Sequence, residues 1–549
     1  MAPKSPDETG RRHWQNGDYF WRVFSVALPI LVIVAVVAAA SVLLIRRQPS
    51  IFFTVAEYMP RKMSDPIPDS PDQDEEFFKY GGIGNEANEG LPYRIWAVLP
   101  KVCPQLLKTK PPADKPWLAY RQFGFLFEDG HQAPIGMSRV NLGLGGLGVE
   151  QIAINCSVCH VQTYRPPGGD ASSRQVFVGG VANQLDSQAY VRFISDCTAT
   201  MDVEAKLLVA MKEQFKQNWL ERRLYSTVLI PMTLAGVEDR IRRRFAWTWA
   251  NPIWGPGRVD PFNPPKFTYL KQPIDGTIGN SDMMPPWNGK RKEEFRKTSG
   301  REHILWHWDG LSADLTEVIV NSALGDGMTR QGYEKRTIER LRRYLDGTNA
   351  QGQNLPGLVS PSAAQAAGLQ IDETLKNQGK ATFEQRCAEC HGWDGKRFLT
   401  IIESNDIATD DNRLKMWTAQ ATSAYNNYDE GRPWKLDLFK KFDGYLAQPL
   451  EGIWLTGPYL HNGSVPTLTD LLKPQAERPK TFVRGSDELD FENGGYRSPT
   501  CDPSSYNGAH FCYDTQFEGN RNTGHSGSKY GTDMSPEERR ALVHYLLTL

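Results

Sequence analysis

Apolar and polar positions alternate in short blocks along most of this chain, with one exception near its start. No charged residue interrupts the apolar run from Val23 to Ile45. As a helix that run would measure about 34 Å, enough to cross the hydrocarbon layer of a bilayer. The pattern therefore predicts a transmembrane anchor at 23–45 with a short tail, 1–22, on one side. A cleaved signal peptide is the rival reading, because Ala38, Ala39 and Ala40 offer small residues to a signal peptidase. The run continues beyond that site to Arg46 and Arg47, which favours the anchor.

Past the anchor, residues 46–90 include an acidic, Pro- and Gly-containing stretch that predicts an extended tether. Helical spacing of apolar residues follows at Val203 to Trp219, Leu315 to Leu324, Tyr333 to Leu345 and about Thr374 to Arg386, with a last helix from Pro536 to Leu549. Between them lie long loops, as 37 prolines and 48 glycines require. Residues 346–361 have the composition of a linker, which divides 91–345 from 362–549.

Charge excludes more than it indicates. In 549 residues, 63 Lys and Arg oppose 64 Asp and Glu, so no global field draws the chain to nucleic acid, and no nucleic-acid partner is expected. The 8 cysteines say more. Two sets stand in Cys-x-x-Cys-His form, Cys156-Ser157-Val158-Cys159-His160 and Cys387-Ala388-Glu389-Cys390-His391. That spacing sets two thiols on one turn to add to the vinyl groups of a haem, while the adjoining imidazole reaches the iron. Chance placement of these residue types would give about 0.002 such motifs in the chain. The expectation is two covalently bound haem c groups, with His160 and His391 as proximal iron ligands.

Covalent haem of this type is attached outside the cytoplasm. The expected organisation is therefore a single-pass bacterial inner-membrane protein: a cytoplasmic tail at 1–22, an anchor at 23–45, a periplasmic tether at 46–90, a catalytic haem domain at 91–345, a linker at 346–361 and an electron-transfer haem domain at 362–549. The fold class expected is mainly α, with two cytochrome c-like haem domains and long loops after one transmembrane helix. Of the other cysteines, Cys501 and Cys512 enclose a short segment whose bridging would be worth about 3 kcal/mol. Cys103 and Cys197 are left as a pair or as free thiols.

Further segments carry a family resemblance. Trp308-Asp309-Gly310-Leu311-Ser312-Ala313-Asp314-Leu315 resembles the Trp-Asp-Gly-Arg-Ala-x-Asp-Leu segment of bacterial di-haem cytochrome c peroxidases. Thr456-Gly457-Pro458-Tyr459-Leu460-His461-Asn462-Gly463 is similar to their Thr-Ala-Pro-Tyr-Met-His-Asp-Gly segment. The rubber oxygenase-like branch is nearer still, through the form Leu460 to Leu468 and the late Gly524-His525 pair. The resemblance implies a tryptophan between two haems at Trp308. It also implies a calcium site formed by the carbonyls of Thr456 and Pro458 with Asp282. His525 resembles the distal ligand of the second haem in that branch, with His461 as second choice.

Departures from the peroxidase pattern bear on chemistry. Val318 stands where a glutamine is expected, and 322–328 lacks the glutamate, although Asp326 is close by. A pocket without those groups loses acid-base help in splitting an O–O bond. The first haem is thus expected to be catalytic, lined by Trp306, Trp308, Val318 and Leu324, with His303 or His307 as polar contacts, and the second to pass electrons. Three activities remain open: an oxygenase-like reaction of dioxygen with an apolar substrate, peroxide reduction fed by an electron-donor protein, and electron transfer without catalysis.

Overall fold

A computed structural model of the chain describes residues 56–143, 148–347, 361–428, 431–505 and 510–549. The expected anchor at 23–45, the tail before it and most of the 346–361 linker lie outside those residues. The fold class requires correction. Helix makes up 42% of the described residues and strand 11%, and among them no helix is long and apolar enough to cross a membrane. The described residues thus lend no support to the transmembrane helix in the expected fold class or to the single-pass inner-membrane assignment that rested on it.

An antiparallel four-stranded sheet leads into the first Cys-x-x-Cys-His motif. Its strands, in spatial order, are Arg61–Met63, Met137–Leu142, Val149–Ile154 and Leu91–Pro92. Because Arg61–Met63 pairs with Met137–Leu142, the stretch expected as a free tether is, from Arg61 onward, built into the body. Helix Asp74–Tyr80 reinforces this, burying Phe77, Phe78 and Tyr80. Its Asp74 carboxylate is gripped by Arg340, at 3.0 Å, and by Arg343 from helix Lys335–Leu345. A buried carboxylate held in this way costs about 3–5 kcal/mol to strand.

Three apolar clusters carry most of the packing. The first surrounds Trp96, which stacks on Tyr120 at 4.5 Å and donates its indole N–H to Tyr190. Within it Cys103 is bridged to Cys197, and farther along the chain Cys501 is bridged to Cys512, so both candidate pairs form. The second collects Trp306, helix Leu315–Gly325 and helix Lys335–Leu345, but also Met416, Trp417, Leu436 and Phe439. Residues on both sides of the expected linker thus share one core. Asp487 adds a polar tie, since its buried carboxylate takes Arg165 at 2.7 Å and also Arg174, both just after the first haem motif.

Helix Glu373–Arg386 and the terminal helix Pro536–Leu546 build the third cluster around the second motif. The first is capped by Asp372, whose carboxylate accepts the Thr374 and Leu375 N–H groups. The second starts with a capping box between Ser535 and Glu538. They cross at Gly379, where an added Cβ would lie 2.0 Å from the Ala541 carbonyl oxygen. G379V should force the helices apart and cost about 1–3 kcal/mol, measurable as a lower midpoint of chemical unfolding followed by far-UV dichroism.

Candidate functional site

Each Cys-x-x-Cys-His motif is delivered by a regular element, and a side-chain cap fixes the first. Strand Val149–Ile154 leads to Asn155, whose side-chain Oδ1 accepts the Ser157 N–H and shapes the turn Cys156–Val158. Helix Glu373–Arg386 ends at Cys387, and the short helix Ala388–His391 completes the second motif. Cys156, Cys159, Cys387 and Cys390 remain unpaired while the other four cysteines are oxidised. Burial raises their thiols, Cys156 to about 12 and Cys387 to about 11.

Both motif histidines are held alike. Nδ1 of His160 lies 3.2 Å from the Gly180 carbonyl oxygen, and Nδ1 of His391 lies 2.8 Å from that of Gln448. A carbonyl only accepts, so Nδ1 carries the proton and Nε2 keeps its lone pair. Burial lowers the pKa of both rings, that of His160 to about 4, which keeps them neutral. A neutral imidazole oriented through its other nitrogen is the usual metal-binding form.

Two cavities open beside these rings. One, of about 310 Å3, is bordered by Cys156, Cys159 and His160, and by Trp306, His307, Trp308 and Val318. The other, of about 250 Å3, is bordered by Cys387, Cys390, His391, His461 and His525. Trp308 borders both, together with Asp282, Met283 and Pro285. Its indole N–H donates to the Asp282 carbonyl at 2.8 Å, which fixes the ring in the partition. The turn presenting it is closed by pairing of Trp306 with Ser312.

Helix Leu315–Gly325 forms one wall of the first cavity with Val318, Asn321, Ser322 and Gly325, a helical face. Leu324, expected in that lining, is buried in the core and does not border the cavity. His303 also stays outside, beside Glu302 at 3.5 Å. Behind the wall, Glu317 accepts hydrogen bonds from Ser312 Oγ and the Leu438 N–H.

In the second cavity the rings of His391 and His525 are 6.5 Å apart, centre to centre. Two ring nitrogens each about 2 Å from one metal would put ring centres roughly 6 Å apart, so this spacing fits an iron between them. Nδ1 of His525 is buried without a hydrogen-bond partner. His461 is committed elsewhere, stacked on Tyr445 at 4.1 Å with Nε2 3.0 Å from the tyrosine hydroxyl. Asp282, Thr456 and Pro458 do border one cavity. The Asp282 carboxylate, however, is paired with the buried Arg484 guanidinium at 2.7 Å, and Arg484 also donates to the Gly463 carbonyl. A guanidinium already holds the anionic donor, which does not fit calcium.

Sequence reasoning missed Tyr445, Gln448 and Arg413. Arg413 borders the first cavity, bonded to Ser281 Oγ at 2.8 Å and Asp309 at 3.2 Å, with Nε buried and unpartnered. Nothing local in the sequence marks these residues, since each is recruited from far along the chain.

Neutral, carbonyl-held histidines beside unpaired Cys-x-x-Cys thiols define a cytochrome c-type site. Comparison with known proteins agrees with that class: residues 444–483 match a family described as RoxA-like, cytochrome c-like. The match supports a RoxA-like cytochrome c relationship, covalently bound haem c and a cytochrome-type oxidoreductase. It contains Tyr445, Gln448, Thr456, Pro458 and His461 but neither Cys-x-x-Cys-His motif, and it carries no wider di-haem peroxidase kinship. The chain is 45% identical over 275 residues to uncharacterized protein y4iJ of Sinorhizobium fredii (strain NBRC 101917 / NGR234), covering 39% of this chain and 45% of that one. It is 31% identical over 186 residues to uncharacterized protein y4iM of the same organism, covering 28% and 41%. The chain thus spans less than half the length of these two relatives.

Burial raises the Glu317 carboxyl from its ordinary 4.5 to about 7. The folded state therefore holds this proton more tightly than the unfolded one. The stability it contributes is complete below about 4.5 and is lost as pH rises through about 7. E317Q should flatten the decline in unfolding free energy across that window, measured by denaturant titration at a series of pH values.

Proposed function

We propose that this protein is a di-haem c-type oxidoreductase with two unequal iron sites, acting on dioxygen and an apolar organic substrate at the first. The observation that carries this reading is the contrast between the cavities. The second presents His391 and His525 to one another at 6.5 Å. The first sets His160 against a wall that includes Phe262, Trp306, Val318 and Ile319. A haem iron with two imidazoles passes electrons, whereas one with an open position activates dioxygen or peroxide.

The chain's own residues do the rest. The Gly180 and Gln448 carbonyls hold the proximal rings with Nε2 free. Arg413, with its unpartnered Nε beside the first cavity, suits a haem propionate carboxylate. Phe262, Val318 and Ile319 exclude water and favour an apolar substrate. Trp308 borders both cavities, where its indole would be placed to pass electrons between haems held at the two sites. Peroxide reduction, with electrons from a donor protein, is the second reading, and the presence of Asp326 at the first cavity favours it. In the peroxide-reducing reading an electron-donor protein is the expected macromolecular partner.

Electron paramagnetic resonance of the ferric protein should give one high-spin and one low-spin haem signal. Two low-spin signals would remove catalysis at the first site and leave electron transfer alone. H525A should convert the low-spin signal to high spin; an unchanged spectrum would take His525 out of the ligand set. Rapid mixing of the reduced protein should show faster oxidation by dioxygen than by peroxide, and the reverse order would favour the peroxidase reading.

A further inference from the structure

His307 occupies a position that ordinary packing does not explain. Its Nε2 is buried and has no hydrogen-bond partner. Buried ring nitrogens are normally paired, and an orphan calls for a ligand or a functional reason. The residue borders the first cavity with Cys156, Cys159 and His160. Its backbone sits in the left-handed region at φ 69°, uncommon for residues other than Gly, although Asn, Asp and His enter it more often than the rest.

Several contacts hold it there. The Phe262 ring packs edge-on against the imidazole at 5.2 Å and the Phe439 ring at 6.1 Å. The His307 carbonyl accepts from the Gln448 side-chain amide at 3.3 Å. Other titratable groups of the same wall are already engaged. Asp260 accepts the N–H groups of Phe262, Asn263 and Gly279. Asp282 is paired with Arg484, and Arg413 with Asp309. Burial, opposed by Asp309, lowers the His307 pKa to about 4, so the ring is neutral and carries one N–H and one lone pair.

We propose that His307, through Nε2, hydrogen-bonds the small oxygen-bearing molecule that enters the first cavity, and so binds and orients it. This rests on the reading of that cavity as an open haem site. The ligand class is a diatomic or peroxide oxygen species, or an anion of similar size. His307 would thereby supply the polar contact that Val318 does not.

Fluoride added to the ferric full-length haem protein tests this, because its affinity reports a hydrogen-bond donor beside an open iron. Binding is followed by the shift of the high-spin absorption bands. H307F should weaken fluoride binding by about tenfold. H307N, which the left-handed backbone accepts readily, should weaken it similarly, and H307Q should restore it to within a few-fold of the parent. Equal affinity in the parent, H307F and H307N would overturn the proposal. So would a new high-spin signal in H307F that the parent lacks, since that would make His307 an iron ligand. Failure of the parent protein itself to bind fluoride would instead bring down the open-site reading, and this inference with it.

Discussion

Two backbone carbonyls set the chemistry of this molecule. Each Cys-x-x-Cys-His motif supplies an imidazole, but a free imidazole can rotate and can present either nitrogen. The Gly180 and Gln448 oxygens remove both freedoms by accepting from Nδ1. Those carbonyls are themselves placed by strands that follow the motifs in the chain. Gly180 follows strand Gln175–Val178, which pairs with Val161–Tyr164. Gln448 follows strand Gly444–Leu446, which pairs with Ile401–Glu403. Small two-stranded sheets thus act as brackets for the ring that would meet the metal, and the orientation belongs to the fold rather than to the motif.

Between the brackets stands a partition one side chain thick. Trp308 is held there by the Asp282 carbonyl, while the Asp282 carboxylate is held by Arg484. The main-chain N–H of Asp282 donates to the His461 carbonyl, so this one residue ties the partition on three sides. Gly463 completes it, because a Cβ there would lie 2.3 Å from the Asp282 carboxylate oxygens. Residues from 281–308 and from 456–484 meet in this small volume, which makes the boundary between the two cavities a joint product of both parts of the chain.

What the sequence disclosed follows from range. Local chemistry was legible: both motifs, the helices beginning near Leu315 and Glu373, and the pairing of Cys501 with Cys512 all depend on spacings within a few residues or turns. Trp308 and His525 were legible through motif likeness, and the geometry brings each to a cavity wall. Leu324 was misplaced by one helical step, since residues 318, 321, 322 and 325 share the face that lines the cavity and Leu324 turns into the core. The stretch 61–90 reads as a tether because its composition is polar, yet a three-residue strand and the Asp74 ion pairs recruit it into the body. Arg413, Gln448 and Arg484 were invisible because their partners lie more than 50 residues away.

Gln448 joins the two sites by different ends of the same residue. Its main-chain oxygen steadies His391, and its amide nitrogen reaches the main-chain oxygen of His307. The first grip is independent of side-chain identity, while the second exists only for a residue with a donor of suitable reach. Replacing the Gln448 side chain would therefore alter the support of His307 beside the first cavity while leaving the hold on His391 in place.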